Sequence, residues 1–461
     1  MPPVVYTLLR ALLRHALRVF FRDLRVEGLE QVPPDGPLLL AANHPNTLID
    51  VLLVATFLQR RVGFVAKAPL FANPLVGALL RWLGAVPVYR RVDGPVDATG
   101  KAKNAQALAG CEEAVAAGRA IAVFPEGVSQ GEPRLQALKT GLARIALGAE
   151  ERAPGQVVVV PVSLVYDDPE TFRSRAHVTY SAPIRVAPYR EQGERAGDPF
   201  VGVRALTEAI REELEEGMVH VDRPQHDPLV EGLDAIYGGL VADQAGGRLA
   251  ATAQIANAVN AFAERDPGRV QRVQERLTAY TQALAAAGVD DVAVRARPRP
   301  TSVGAALGLI LGAPLALWGA ANHFVLYHLP RVVLTVLPVD PLYASTVKLL
   351  TGLLALGVCY GVQGAAVHAL APRAGLDPWT VTCLYLGTLP PCGVGALLWL
   401  EGLAARGRRA AARRARRRLA PGALDELLRL RGELVSDLDA ARAAFLAEQP
   451  SDVGELADDP L

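Results

Sequence analysis

The strongest constraint on this chain lies in its last third. Residues 301–330, 349–372 and 379–400 contain no Asp, Glu, Lys or Arg. An uncharged, mostly apolar run of roughly 20 residues is long enough to cross a bilayer as a helix. The 461 residues, 51% of them hydrophobic, therefore divide into a membrane part and a part that must fold in water. The total charge is nearly balanced, so no bulk basic field points to nucleic acid.

Basic residues flank the apolar region on both sides: Arg295, Arg297 and Arg299 before it, and the block from Arg406 to Arg418 after it. Three crossings would put the two groups on opposite sides, which the positive-inside rule disfavours. Pro314 and residues 322–330 offer a break. The first stretch, with residues 332–339, is therefore expected to form a broken, re-entrant hairpin. Residues 349–372 and 379–400 form a spanning hairpin, with the basic segments cytoplasmic. The Arg/Ala-rich segment 404–420 fits a juxtamembrane position against anionic headgroups. An amphipathic helix follows at 424–448, then a frayed acidic end at 452–459.

At the other end, residues 4–25 read as a basic amphipathic helix. Arg10, Arg14, Arg18 and Arg22 recur at every fourth position among leucines and phenylalanines. Such a helix can lie in a membrane interface or pack on its own domain with the arginines solvated. The arginines interrupt the apolar core that a secretory signal needs.

Between Leu24 and Met218, short apolar runs alternate with helical periods. Strands are expected at 37–42, 62–66, 85–89, 120–124 and 157–165. Helices are expected at 46–58, 74–83, 105–117, 139–148 and 199–216. This alternation predicts an α/β fold with a mostly parallel sheet flanked by helices. Residues 219–300 read as a helical insert. The expected organisation is thus an amphipathic helix (1–25), an α/β domain (26–218), the insert (219–300), a transmembrane region (301–403), and a basic juxtamembrane segment with helix and acidic tail (404–461). The four cysteines are scattered without metal-ligand spacing, so neither a zinc site nor a disulfide framework is expected. The abundance of Ala, Arg and Gly with little Lys resembles high-GC bacterial coding.

Two segments carry the chemistry. In Asn43-His44-Pro45-Asn46-Thr47-Leu48-Ile49-Asp50 an imidazole and a carboxylate fall together at a helix start. Pro45 keeps His44 outside the helix, Asn46 or Thr47 can cap it, and Asp50 can reach back to the ring. Histidine is the side chain that serves as a general base near neutral pH without special tuning. The alternative is a surface histidine with a dipole-stabilised aspartate. In Phe124-Pro125-Glu126-Gly127-Val128-Ser129 a sharp turn follows an apolar strand, the usual location of ligand sites in open α/β sheets. Glu126 can accept from hydroxyls, Gly127 permits backbone approach, Ser129 can donate, and Lys139 lies where it can meet phosphate. The alternative is a turn with a solvated glutamate. Arg90 and Arg91 end a strand as phosphate ligands or as solvated charges. The apolar segment around Pro161 reads as structural or acyl-contacting. A P-loop and His-Glu-x-x-His are both absent, and Ser129, although Gly127-Val128-Ser129-Gln130-Gly131 has the Gly-x-Ser-x-Gly spacing, lacks an adjacent base in sequence.

These four segments, in this order, resemble the blocks of the glycerolipid acyltransferase family, which includes lysophosphatidate and glycerol-3-phosphate acyltransferases. The resemblance covers roughly residues 24–215. It implies that His44 and Asp50 are catalytic and that Arg90, Glu126 and Gly127 bind the glycerol-phosphate part. Lys67 matches a lysine often found ahead of the second block. Five residues separate His44 from Asp50, where the common pattern has four. That spacing resembles the branch of fungal-type glycerol-3-phosphate/dihydroxyacetone-phosphate acyltransferases and their bacterial relatives, which also carries C-terminal membrane segments.

The resemblance implies a membrane enzyme without cofactor or metal, with acyl-CoA or acyl-ACP as co-substrate. Its acceptor would be a lysophosphatidate-type hydroxyl, with glycerol-3-phosphate or dihydroxyacetone phosphate as the rival. The expected location is a bacterial inner membrane with the catalytic domain cytoplasmic. A non-catalytic lipid-binding scaffold is the alternative of another class. Its partners would be membrane lipid in either case, and nucleic acid in neither.

Overall fold

The computed structural model describes residues 3–88, 98–129, 134–218, 221–245, 247–296 and 303–448. The chain forms two compact units, one of Met1–His220 with Phe324–Cys383, the other of Val221–His323 with Leu384–Leu461. Contacts thus group the apolar segments differently from chain order: part of the membrane region packs with the α/β domain, and part with the helical insert.

The first unit opens with α1 (Pro3–Phe20), β1 (Asp23–Glu27), β2 (Leu38–Ala42), α2 (Thr47–Thr56), β3 (Val62–Lys67), α3 (Pro74–Leu83) and β4 (Ala85–Val88). It continues with α4 (Ala98–Ala116), β5 (Ala120–Val123), α5 (Gly141–Arg152), β6 (Val158–Tyr166), β7 (Arg175–Tyr180), β8 (Ile184–Arg185), α6 (Ala187–Ala196) and α7 (Pro199–Glu216). The strands form one sheet ordered β1-β7-β6-β2-β5-β3-β4, with β8 also on β6. All pairs are parallel except β6 with β7 and β8. The expected mostly parallel α/β fold is what forms. β2 is buried along its whole length, which explains its unbroken apolar run: successive side chains face opposite layers. Leu38, Leu40 and Ala42 join a core with Leu17, Phe20 and Leu53. Leu39 and Ala41 join a second core with Leu142, Leu206 and Ile210.

The N-terminal helix differs from expectation. It ends at Phe20, and residues 23–27 form an edge strand pairing with β7 instead of extending the helix to Arg25. Leu17, Phe20 and Phe21 are buried in the core. Arg10 donates to the carbonyls of Leu58 and Gln59, and Arg14 to those of Thr56 and Phe57. These guanidiniums satisfy the carbonyl end of α2, where positive charge is favoured. Val4, Leu8 and Leu12 remain exposed.

The second unit begins with α8 (Asp227–Leu233), which runs through a π-helical turn (Asp234–Gly238) into α9 (Gly239–Val241). It adds α10 (Arg248–Arg265), α11 (Pro267–Ala287), α12 (Asp291–Arg295) and α13 (Val303–Asn322). The chain returns to the first unit with α14 (Phe324–Val336) and α15 (Ala344–Leu370). The long α16 (Pro378–Arg418) begins in the first unit and runs on into the second, which α17 (Pro421–Glu448) completes. Asp291 ties the second unit together: its carboxylate accepts from Tyr280 at 2.7 Å and Arg431 at 2.7 Å, and pairs with Arg295 at 2.7 Å.

Two helical segments, Pro341–Ala374 and Pro378–Arg418, are long and apolar enough to cross a membrane, among the described residues. The first apolar stretch forms two helices, α13 and α14, that break at His323. The arginine block is continuous with α16 and not a separate segment. Arg297, Arg299 and the acidic end 452–459 lie outside the described residues.

Candidate active site

The sheet register assembles the site. Ala41 pairs with Val123 and Ala42 with Val162, so β5 and β2 end side by side at the carboxyl edge, next to β6, which runs on to Tyr166. His44, Glu126 and Tyr166 each follow within four residues of those pairs. The loop after β2 is fastened to β6 by Asn43: its amide donates to the Leu164 carbonyl at 2.9 Å, and its oxygen accepts the Leu164 N–H at 2.7 Å.

His44 and Asp50 meet as expected. His44 Nδ1 lies 2.9 Å from Asp50 Oδ2, and the Asp50 side chain is 0% exposed against 18% for His44. A carboxylate only accepts, so Nδ1 carries the proton and Nε2 is the nitrogen left to act. The imidazole stacks on Phe124 with centroids 4.1 Å apart and 22° between planes. Asp50 Oδ2 also accepts the Asn46 N–H at 2.6 Å. The start of α2 is therefore capped by Asp50 reaching back. Asn46, expected to cap through its side chain, makes no such bond and donates instead to the Pro169 carbonyl at 2.8 Å. Thr47, the first residue of α2, has φ +43°, a left-handed conformation that is uncommon for a β-branched side chain. Its N–H donates to Ser129 Oγ at 3.0 Å, and its hydroxyl bonds that of Thr346, on α15, at 2.8 Å.

Glu126 and Ser129 both bond the backbone of the histidine loop. Glu126 is buried, and its Oε1 accepts the His44 N–H at 2.9 Å. Burial raises its pKa above the usual carboxylate value, opposed by the His44 and Gln136 backbone N–H groups. Ser129 Oγ donates to the His44 carbonyl at 2.9 Å. The two side chains clamp the backbone of the histidine loop. Gly127 has φ +71°, and a Cβ there would fall 2.5 Å from Lys139 Nζ. Glycine thus gives both the turn and the room that brings Lys139 to the site. Lys139 precedes α5, which begins at Gly141; its own N–H is held by the Pro125 carbonyl at 2.8 Å.

Lys67, matched by resemblance to a substrate lysine, donates to the Tyr343 hydroxyl at 3.2 Å. Arg90 and Arg91 lie outside the described residues. Pro161 sits inside β6 opposite Ala41, which is a structural place.

Two site features were not legible in the motifs. Tyr166, the last residue of β6, donates to Asp50 Oδ1 at 2.5 Å. Burial, then the Asp50 carboxylate, push its pKa well above that of an ordinary phenol. The second feature is the start of α15. Besides Thr346, Ser345 donates to the Pro169 carbonyl and Lys348 to that of Glu170, and Leu349 enters the α1–α2 core. An apolar helix long enough to span a bilayer therefore begins against the histidine loop.

Residues 23–165 match the family model described as Acyltransferase. A 265-residue segment is 24% identical to glycerol-3-phosphate O-acyltransferase 1 of Saccharomyces cerevisiae, covering 40% of this chain and 35% of that protein. A 146-residue segment is 28% identical to a chloroplastic 1-acyl-sn-glycerol-3-phosphate acyltransferase of Arabidopsis thaliana, covering 32% of this chain and 36% of that protein. A 153-residue segment is 31% identical to the lyso-ornithine lipid O-acyltransferase of Rhizobium meliloti, covering 33% of this chain and 49% of that protein. The chain thus spans about a third to a half of the length of these relatives.

Proposed function

We propose, from the premise that residues 23–165 are an acyltransferase-family domain, that this chain is a membrane O-acyltransferase of lipid biosynthesis. It moves a fatty acyl group from a thioester, acyl-CoA or acyl-ACP, to the free hydroxyl of a lysophosphatidate-type acceptor. The observation that carries this reading is the His44–Asp50 pair, 2.9 Å apart on the loop at the carboxyl edge of the sheet.

In this reading His44 Nε2 takes the proton of the acceptor hydroxyl while Asp50 holds Nδ1–H and favours the imidazolium as it forms. The hydroxyl oxygen attacks the thioester carbonyl carbon, the C–S bond breaks, and the thiolate leaves with the proton from His44. No side chain forms an acyl intermediate. Glu126 and Ser129 keep the imidazole in place through its backbone. Arg90, by resemblance, and Lys139 and Arg91, by their chemistry, are assigned to the phosphate of the acceptor. The start of α15 beside the loop supports an acceptor whose acyl tail stays in lipid. The Arg406–Arg418 block at the end of α16 supports a cytoplasmic catalytic face under the positive-inside rule, and the composition supports a bacterial inner membrane.

A second acceptor, glycerol-3-phosphate or dihydroxyacetone phosphate, is favoured by the five residues between His44 and Asp50 and by the yeast relative's name. Membranes containing the chain, given a labelled acyl thioester with each acceptor in turn, separate the two. Label in a doubly acylated phosphatidate from lysophosphatidate alone supports the first acceptor. Label in a monoacyl product from either soluble acceptor supports the second. Transfer to none of the three removes the enzymatic reading.

A further inference from the structure

We propose that Tyr166 is a positioning residue for the proton relay: its hydroxyl fixes which Asp50 oxygen faces the imidazole and how much charge that oxygen carries. This rests on the acyl-transfer reading above and adds a residue to it.

The Asp50 carboxylate has no exposed surface and has its two oxygens divided. Oδ2 takes the Asn46 N–H at 2.6 Å and His44 Nδ1 at 2.9 Å. Oδ1 takes the Tyr166 hydroxyl at 2.5 Å. A terminal carboxylate torsion is broad and roughly two-fold, so an unheld carboxylate can rock and spread the imidazole over several orientations. A donor on Oδ1 pins that torsion. Tyr166 is itself placed by the sheet, at the end of β6, and its ring lies 5.8 Å from that of Phe21.

A phenol held protonated in this way acts as a fixed donor, not as a second base. It also draws negative charge toward Oδ1, which moderates the pull of Oδ2 on the imidazolium. Removing the hydroxyl concentrates charge on the carboxylate, stabilises the imidazolium and raises the pH at which His44 becomes an effective base. Among the described residues, the titratable groups near the pair include Glu126 from the loop after β5, Lys139 beside Gly127, Tyr166 from β6 and, further out, Asp168 with Lys348 of α15. Of these, Tyr166 donates directly to the aspartate.

The test is Tyr166→Phe in the full-length chain in membranes, read by kcat, KM for the acceptor and the pH profile of kcat/KM. The expected result is a fall in kcat of about 10-fold, the weight of one charge-assisted hydrogen bond. KM should stay within roughly two-fold, and the acid limb should move to higher pH. Placed on Asp50→Asn, the same change should cost little more, because its target is already altered. A variant with unchanged kcat and an unmoved acid limb overturns the proposal. So does Phe21→Leu, which disturbs the ring's packing but not its hydroxyl, if it matches Tyr166→Phe in every readout. If Tyr166→Phe does not accumulate folded, Tyr166→Gln is compared with Tyr166→Leu. Recovery of kcat by the glutamine donor supports the role, and equal loss overturns it. Absence of transfer by the unsubstituted chain defeats the acyl-transfer reading as a whole, whereas normal transfer with an indifferent Tyr166→Phe defeats only the positioning role.

Discussion

Glu126 meets His44 at the backbone: its Oε1 accepts the His44 N–H at 2.9 Å, leaving the imidazole to Asp50. The carboxylate is thus a fixture of the loop that carries the base. Glu126→Ala strands that N–H and should destabilise the first unit by about 1–3 kcal/mol. Glu126→Gln retains an acceptor oxygen and should lose clearly less. Chemical unfolding in detergent, followed by a probe in the α/β domain, checks the order of the two variants.

The raised pKa of Glu126 gives this difference a pH dependence. Burial favours its protonated form in the folded state, so the folded chain holds this proton to higher pH than the unfolded chain. Stability contributed by the group is greatest below the unfolded value. It falls as pH rises toward the folded one, then levels off. The unsubstituted chain should therefore gain stability relative to Glu126→Gln as pH is lowered through that window. Paired unfolding curves between neutral pH and about pH 4.5 read the sign directly, and a gap that moves the other way would contradict it.

Ser129 bridges the His44 carbonyl and the Thr47 N–H, so its loss should loosen the base without touching acceptor binding. Ser129→Ala is expected to lower kcat several-fold, on the order of the roughly 1 kcal/mol carried by such bonds, with KM for the acceptor nearly unchanged. A rise in KM at constant kcat would instead place the hydroxyl on the substrate.

How much of this was visible beforehand varies by residue. The strands around Leu38–Ala42 and Val158–Tyr166 read correctly because a strand buried on both faces is an unbroken apolar run. β1 was hidden: Asp23, Arg25 and Glu27 alternate with Leu24 and Val26 at the strand period of two, but over only five residues that directly follow the arginine helix. The His44–Asp50 contact is local, six positions apart, and so could be inferred from spacing. The Tyr166 hydroxyl and Asp50 are 116 positions apart, joined only by the sheet register. Lys67 was matched only by resemblance to a lysine ahead of the second block, and its Tyr343 partner is 276 positions away. The same distance hid α15, whose composition reads as membrane yet whose first turn completes the site.

Cys111 is buried in the second core, and burial, then Glu112, push its thiol pKa up to about 11. Maleimide at pH 8 should leave it unlabelled in the folded chain and label it once the chain is unfolded, because the thiolate is the reactive form. The raised value also means that stability falls as pH climbs from an ordinary thiol pKa of about 8.5 toward about 11. Cys111→Ala should flatten that part of the pH profile.

The most direct measurement compares the unsubstituted chain with His44→Ala in membranes, at equal abundance and equal unfolding midpoint, for transfer of labelled acyl group from thioester to lysophosphatidate. Loss of the base should lower turnover by at least about 100-fold, within the range that general acid–base catalysis supplies. A His44→Ala protein that keeps more than half of its acyl transfer would contradict the assignment of His44 as the base.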